Sequence, residues 1–269
     1  MNNLPLIEVK ELTKTFVVRG RKEKQTAVDH VSFSIPKGSS FGLIGESGSG
    51  KTTIGRMILG LLAPDEGEIL YLGESLTPKN RASYRRKIQY IFQNPFSSLD
   101  PQFTIYDSIA EGIRALKLSA SSKEEEARVT ALLEMVGLSK RDGEKYPYEF
   151  SGGQLQRVVI ARALAVEPEF LIMDEPVSSL DVSYQAQIIN LIARIQQEKN
   201  LTTLFISHDL SVVQGFCDTI GVMHQGKLVE TGEVEKIILH PSQEYTKALL
   251  KAVPVPDPQK ARKRLMEET

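Results

Sequence analysis

The 269-residue chain is 41% apolar and 25% charged with a net charge of −1, the balance of a soluble globular protein with a sizeable core. That charge offers no basic surface for nucleic acid, and one cysteine, Cys217, allows no internal disulfide, which points to a reducing compartment. MNNLPLIEVKELTKTF has no basic region followed by an apolar run, so no signal peptide is expected, and no stretch approaches the roughly 20 apolar residues of a membrane span; work at a membrane would require docking on other subunits.

LIEVKELTKTF and AVDHVSFSI alternate apolar and polar residues and read as half-exposed strands. SFGLIG, KIQYIF, FLIMD, TTLFIS and TIGVMH are short, apolar and β-branched, as buried parallel strands are. Helical patterns lie between them in KTTIGRMILGLL, VTALLEMVGL, GQLQRVVIARALAV and YQAQIINLIARIQQEKN. Buried strands alternating with helices predict an α/β fold with a mainly parallel sheet and crossover helices. Residues from about Thr104 to Ala165 carry mainly helical signals, which predicts a helical subdomain inserted in that core, with KEEEAR as its solvated face. The tail VPVPDPQKARKRLMEET is proline-broken and then charged, and is expected to be a loose extension.

Three stretches carry chemistry. GLIGESGSGKTT is a complete G-x-x-x-x-G-K-T phosphate loop, set between a strand and a helix as the mechanism requires. Gly45, Gly48 and Gly50 let backbone N–H groups wrap the β- and γ-phosphates, and the following helix N-terminus adds partial positive charge. Lys51 would reach the γ-phosphate and the Thr52 hydroxyl would ligate Mg²⁺. FLIMDEP ends a buried strand on two carboxylates. Strand alternation predicts that they point to opposite faces, Asp174 toward the Mg²⁺ water shell and Glu175 toward the attacking water as general base. In EFSGGQLQRV, Ser151 and Gln154 fit a capping box, which does not call for Gly152 and Gly153. Each glycine costs about 1 kcal/mol against Ala in a helical turn, so a close approach by another backbone or a ligand is expected there.

With these residues in place the chain resembles the ATP-binding subunit of an ABC transporter, in order and across nearly its whole length. Gln93 in YIFQNPF matches the Q-loop glutamine, SGGQ the signature motif, SSLD (Ser178 to Asp181) the D-loop, and His208 in FISHD the switch histidine. Phe16 falls where the family stacks an aromatic on adenine; Tyr is common there, as Leu is at Phe150. The resemblance implies a P-loop NTPase core, an N-terminal antiparallel β-subdomain and the inserted helical subdomain. Residues 1–239 would be the ATPase domain and 240–269 a C-terminal extension. It implies ATP and Mg²⁺, with Glu175, His208, Gln93 and Lys51 catalytic and Thr52, Gln93 and Asp174 at the metal. The nucleotide would contact Phe16, the loop residues Gly45, Glu46, Ser47, Gly48, Ser49, Gly50, Lys51, Thr52 and Thr53, and Asp181. Family ATPase domains pair head to tail, so Ser151, Gly152, Gly153 and Gln154 would cover the ATP of a neighbouring subunit.

FQNPFSSLDPQFTI, YPYEFSGGQLQRV and HPSQEYTKALLKAVPVPDP resemble importers of the peptide and nickel class. That class implies two transmembrane permease subunits, an identical or paralogous second ATPase, an extracytoplasmic binding protein reached indirectly, and a place on the cytoplasmic face of the membrane. Glu149 matches a position near the permease coupling helix. No iron–sulfur cluster is expected, since Cys217 is alone. Tyr245, Ala248, Leu249 and Ala252 would share one helical face, either as a docking helix or in regulation. Every motif residue lies upstream of Pro241, which predicts that the segment after it can be removed without loss of nucleotide binding. A soluble ABC ATPase acting on nucleic acid or ribosomes is the alternative, though it would need long coiled-coil insertions or tandem cassettes. A monomeric P-loop kinase or GTPase would leave SGGQ and His208 unexplained.

Overall fold

The computed structural model describes residues 4–17, 24–178 and 180–252. The expected extended tail therefore lies outside the described residues, as do Ser179 of the D-loop stretch and the side chain of Ala252.

The two alternating segments form β1 (Ile7–Val17) and β2 (Lys24–Ile35), paired antiparallel with Ile7, Val9 and Leu12 of the first and Val31, Phe33 and Ile35 of the second turned into the core. β3 (Ser40–Ile44) runs into the phosphate loop and α1 (Lys51–Leu59). Two strands unforeseen in the sequence follow, β4 (Glu66–Tyr71) and β5 (Glu74–Ser75), and complete an antiparallel sheet of order β2-β1-β4-β5. After the short α2 (Arg81–Tyr84) comes β6 (Ile88–Ile91). Next, α3 (Ile105–Ala115), α4 (Ser122–Met135) and α5 (Gly152–Leu164) pack on one another with no strand among them. β7 (Phe170–Asp174), α6 (Val182–Lys199), β8 (Thr202–Ser207), α7 (Leu210–Gln214) and β9 (Thr219–His224) continue the α/β alternation. β10 (Lys227–Glu233), α8 (Val234–Leu239) and α9 (Glu244–Ala252) close the described chain.

The second sheet has the order β10-β9-β3-β8-β7-β6, parallel except for the β10–β9 hairpin. Its five parallel strands are mainly apolar and buried because both faces are covered. Phe170, Ile172, Leu204 and Ile206 join α1 and the antiparallel sheet in one core. Their alternates Leu171, Met173 and Phe205 join the helices α3 to α6 in the other. The loops after β3, β6, β7 and β8 leave the same carboxyl edge, where open α/β sheets bind ligands.

KEEEAR is not wholly a solvated face. Glu125 is buried, taking hydrogen bonds from Arg114 Nη2 at 2.7 Å and Tyr106 Oη at 3.0 Å. The run of charge conceals one carboxylate that joins α4 to α3.

Candidate functional site

The phosphate loop is fixed by its own chain before any ligand is considered. Gly45 has φ +148° and Gly50 φ +105°, and a Cβ on either would collide with the carbonyl oxygen of Met223 or of Ala27. Only glycine passes between those two backbones. Gly50 is also the N-cap of α1 and offers no side-chain acceptor, so no cap claims the first-turn N–H groups. The Lys51 ammonium is buried and donates to the Gly45 and Glu46 carbonyls, each at 2.7 Å, and to Ser49 Oγ at 3.3 Å. Burial lowers its pKa, while Glu175, Asp174 and Glu46 favour the charged form. Glu46, Ser47, Gly48 and then Gly50 to Thr53 line a cavity of about 540 Å³, and Gln93, Glu175 and His208 face them across it.

Asp174 ends β7 beside this loop. Its Oδ1 accepts from Thr52 Oγ1 at 2.9 Å and its Oδ2 from Tyr90 Oη at 2.7 Å. Burial raises its carboxyl pKa, and the Tyr90 and Thr52 hydrogen bonds oppose that rise only in part. A hydroxyl and a buried carboxylate 2.9 Å apart make a hard oxygen pair, the donor chemistry Mg²⁺ takes when phosphates and water complete its shell. Among the described residues no cluster of three or more His, Cys, Asp or Glu could hold a metal without such help.

Glu175 leaves the strand by a different route from the predicted alternation. β7 stops at Asp174, and Glu175 takes the left-handed φ of +48°, held by its N–H to Ile206 O at 2.9 Å. That conformation costs a non-glycine residue about 1–2 kcal/mol and separates the two carboxylates by a turn rather than by pleating. Glu175 Oε2 accepts from Gln93 Nε2 at 2.8 Å, and Oε1 lies 3.1 Å from His208 Nδ1. Three loops from three parallel strands thus converge on one carboxylate.

The remaining predicted residues do not line the cavity. Phe16 is not a core residue, being 42% exposed on β1 with Lys14 Nζ 5.9 Å above its ring. Asp181 caps α6, accepting from Tyr184 N–H at 3.2 Å. Ser151 and Gln154 form the predicted capping box at the start of α5. The two signature glycines differ. A Cβ on Gly153 would lie 2.9 Å from Tyr184 Cδ1, whereas one on Gly152 would meet only Leu180 Cδ2 at an ordinary 3.7 Å. Gly153 therefore has a reason within its own chain, and Gly152 has none.

Sequence reasoning missed Tyr90, although a tyrosine in a buried strand signals that its hydroxyl needs a partner. It also expected the segment after Pro241 to be removable without loss of nucleotide binding. The structure brings that segment to the phosphate loop, with the Tyr245 hydroxyl of α9 accepting from the Glu46 N–H and Leu249 lining the cavity.

The ABC transporter family model matches residues 28–178. The oligopeptide transport ATP-binding protein OppF of Streptococcus mutans is 51% identical over 98% of this chain and 86% of its own length. The dipeptide transport ATP-binding protein DppF of Lactococcus lactis is 49% identical over 96% of this chain and 84% of its own. Among solved structures, the dimeric ATP-binding cassette MJ0796 bound to ADP and Pi superposes with a TM-score of 0.76 at 30% identity, over 85% of this chain and 98% of that one. CbiO1 of Clostridium perfringens, part of the transporter complex cbiONQ, gives 0.79 at 26% identity, over 98% of this chain and 99% of that one.

Proposed function

The chain belongs to the ABC transporter family, and from that premise we propose that it is the ATP-hydrolysing subunit of a peptide importer. The observation that carries the reading is the convergence of Gln93 and His208 on Glu175 across a cavity walled by the phosphate loop.

Backbone N–H groups of the loop and of the first turn of α1 hold the β- and γ-phosphates. Lys51 exchanges its Gly45 and Glu46 carbonyls for the γ-phosphate when ATP enters. Thr52, Asp174 and Gln93 would hold Mg²⁺, which when bound would supply positive charge beside the phosphates. Glu175 takes the proton of the attacking water, oriented by the Gln93 amide and the His208 ring. Phe16, exposed on β1, is the platform for adenine. A second ATPase domain, identical or paralogous, completes the site with its own Ser151 to Gln154 turn and Asp181. Among the described residues no helix is long and apolar enough to cross a membrane. The chain works from the cytoplasmic face on two permease subunits, with an extracytoplasmic binding protein choosing the cargo. Peptides are favoured by the relatives' names over nickel or metal–chelator complexes.

The test is Glu175→Gln, nearly isosteric and unable to accept the proton. Mg-ATP binding should persist and phosphate release should fall by about 10²–10⁴, the range of a general base. Retention of more than about a tenth of the parent rate would remove Glu175 from that role. Cells carrying the variant should also stop taking up labelled peptide; unaffected peptide uptake with lost nickel uptake would reassign the cargo.

A further inference from the structure

Past β10 the chain turns back over its own phosphate loop. Glu230 on β10 anchors this return, accepting from the Ser242 N–H and hydroxyl at 2.8 Å each and from the Gln243 N–H at 3.3 Å. At the second residue of α9, the Tyr245 ring lies on the His224 ring with centroids 3.8 Å apart. His224 ends β9 next to Met223, whose carbonyl oxygen bounds Gly45. From there the Tyr245 hydroxyl accepts the Glu46 N–H at 3.3 Å. Leu249, one turn further on, lines the loop's cavity together with Lys51 and His208.

We propose that α9 is a working part of the nucleotide site: Tyr245 is a positioning residue for the phosphate loop, and Leu249 forms an apolar wall beside the phosphates. The Gly45–Glu46 peptide is held on both sides, its Glu46 N–H by Tyr245 and its Gly45 carbonyl by Lys51. When Lys51 turns to a γ-phosphate that carbonyl loses its cation. Tyr245 then keeps the peptide from rotating and the loop in register for binding. Burial raises the Tyr245 pKa, so the hydroxyl stays neutral through physiological pH. The inference rests on the loop being the ATP site, as proposed above.

The test uses full-length Tyr245→Phe, Leu249→Ala and Lys51→Ala beside the parent, with dissociation constants measured for a non-hydrolysable Mg-ATP analogue and for AMP. AMP has no β- or γ-phosphate for the loop to hold. Losing one hydrogen bond of ordinary strength should weaken the ATP analogue roughly three- to tenfold in Tyr245→Phe, with AMP affinity unchanged. Leu249→Ala should move in the same direction. If Lys51→Ala binds the analogue like the parent, the ATP site itself is misassigned. If Lys51→Ala loses binding while both α9 variants match the parent, α9 is only packing and this inference alone fails. Tighter analogue binding would make the helix an obstruction, and equal losses for the analogue and AMP would mean general destabilisation; either overturns the proposal.

Discussion

Tyr90 shows how a single hydroxyl sets up the carboxylate proposed for Mg²⁺. It is buried at 8% exposure, and its hydrogen bond to Asp174 Oδ2 is one of two that hold a carboxylate only 4% exposed. The desolvation that raises the Asp174 pKa also raises that of Tyr90, so the phenol remains a donor. Tyr90→Phe keeps the ring and strands one carboxylate oxygen. Hydrogen bonds to charged groups contribute about 1.5–3 kcal/mol, so the denaturation midpoint should fall accordingly and Mg-ATP should bind more weakly. An unchanged midpoint in urea would mean that Asp174 does not depend on this donor. Glu175, one residue on, stores strain of the opposite kind, in a backbone that only its neighbours make tolerable.

At the scale of elements, what could be read from the sequence is what local chemistry determines. The five parallel strands were legible because each is apolar on both faces, and the start of α5 because Ser151 and Gln154 cap it without help from elsewhere. β4 and β10 were hidden, since EGEILY begins with three exposed residues and KLVETGE is an edge strand with charge and glycine along it. The Glu175 turn and the inward Glu125 were hidden because a tertiary partner, Ile206 or Arg114, decides each. The docking of α9 was hidden for the same reason, as Tyr245 and Glu46 are 199 residues apart. Glu230 governs that docking. Burial alone would raise its carboxyl pKa, but the Ser242 and Gln243 donors outweigh burial and leave it below the usual range. A depressed carboxyl stabilises docking above the ordinary glutamate pKa, and the contribution is lost as pH falls through its lowered value. Glu230→Ala should therefore reproduce at neutral pH the effect of acid: faster amide exchange along α9, with the parallel sheet still protected. Equal protection of α9 in parent and variant would place its anchor elsewhere.

For the whole molecule, the signature turn is the part a single chain leaves unused. Ser151 and Gln154 satisfy each other, and none of the four SGGQ residues lines the chain's own cavity. Gly152 is the informative position, because a side chain at Gly153 would also have to displace the Tyr184 ring of its own chain. In the isolated chain Gly152→Asp has room, and an acidic residue in the first turn of a helix is favourable, so the fold should be unharmed or slightly stabilised. Across the pair of ATPase domains proposed above, the same carboxylate would meet an incoming γ-phosphate. Like charges forced together in an interface cost several kcal/mol, which should weaken ATP-driven pairing by more than about a hundredfold. The measurement is sedimentation with Mg-ATP in the Glu175→Gln background, where nucleotide is not consumed, using the chain alone and mixed with a paralogous partner ATPase. Glu175→Gln should pair in at least one arm; Gly152→Asp added to it should pair in neither, while each separate chain still binds ATP. Pairing that survives Gly152→Asp would mean that this turn caps its own helix and nothing more.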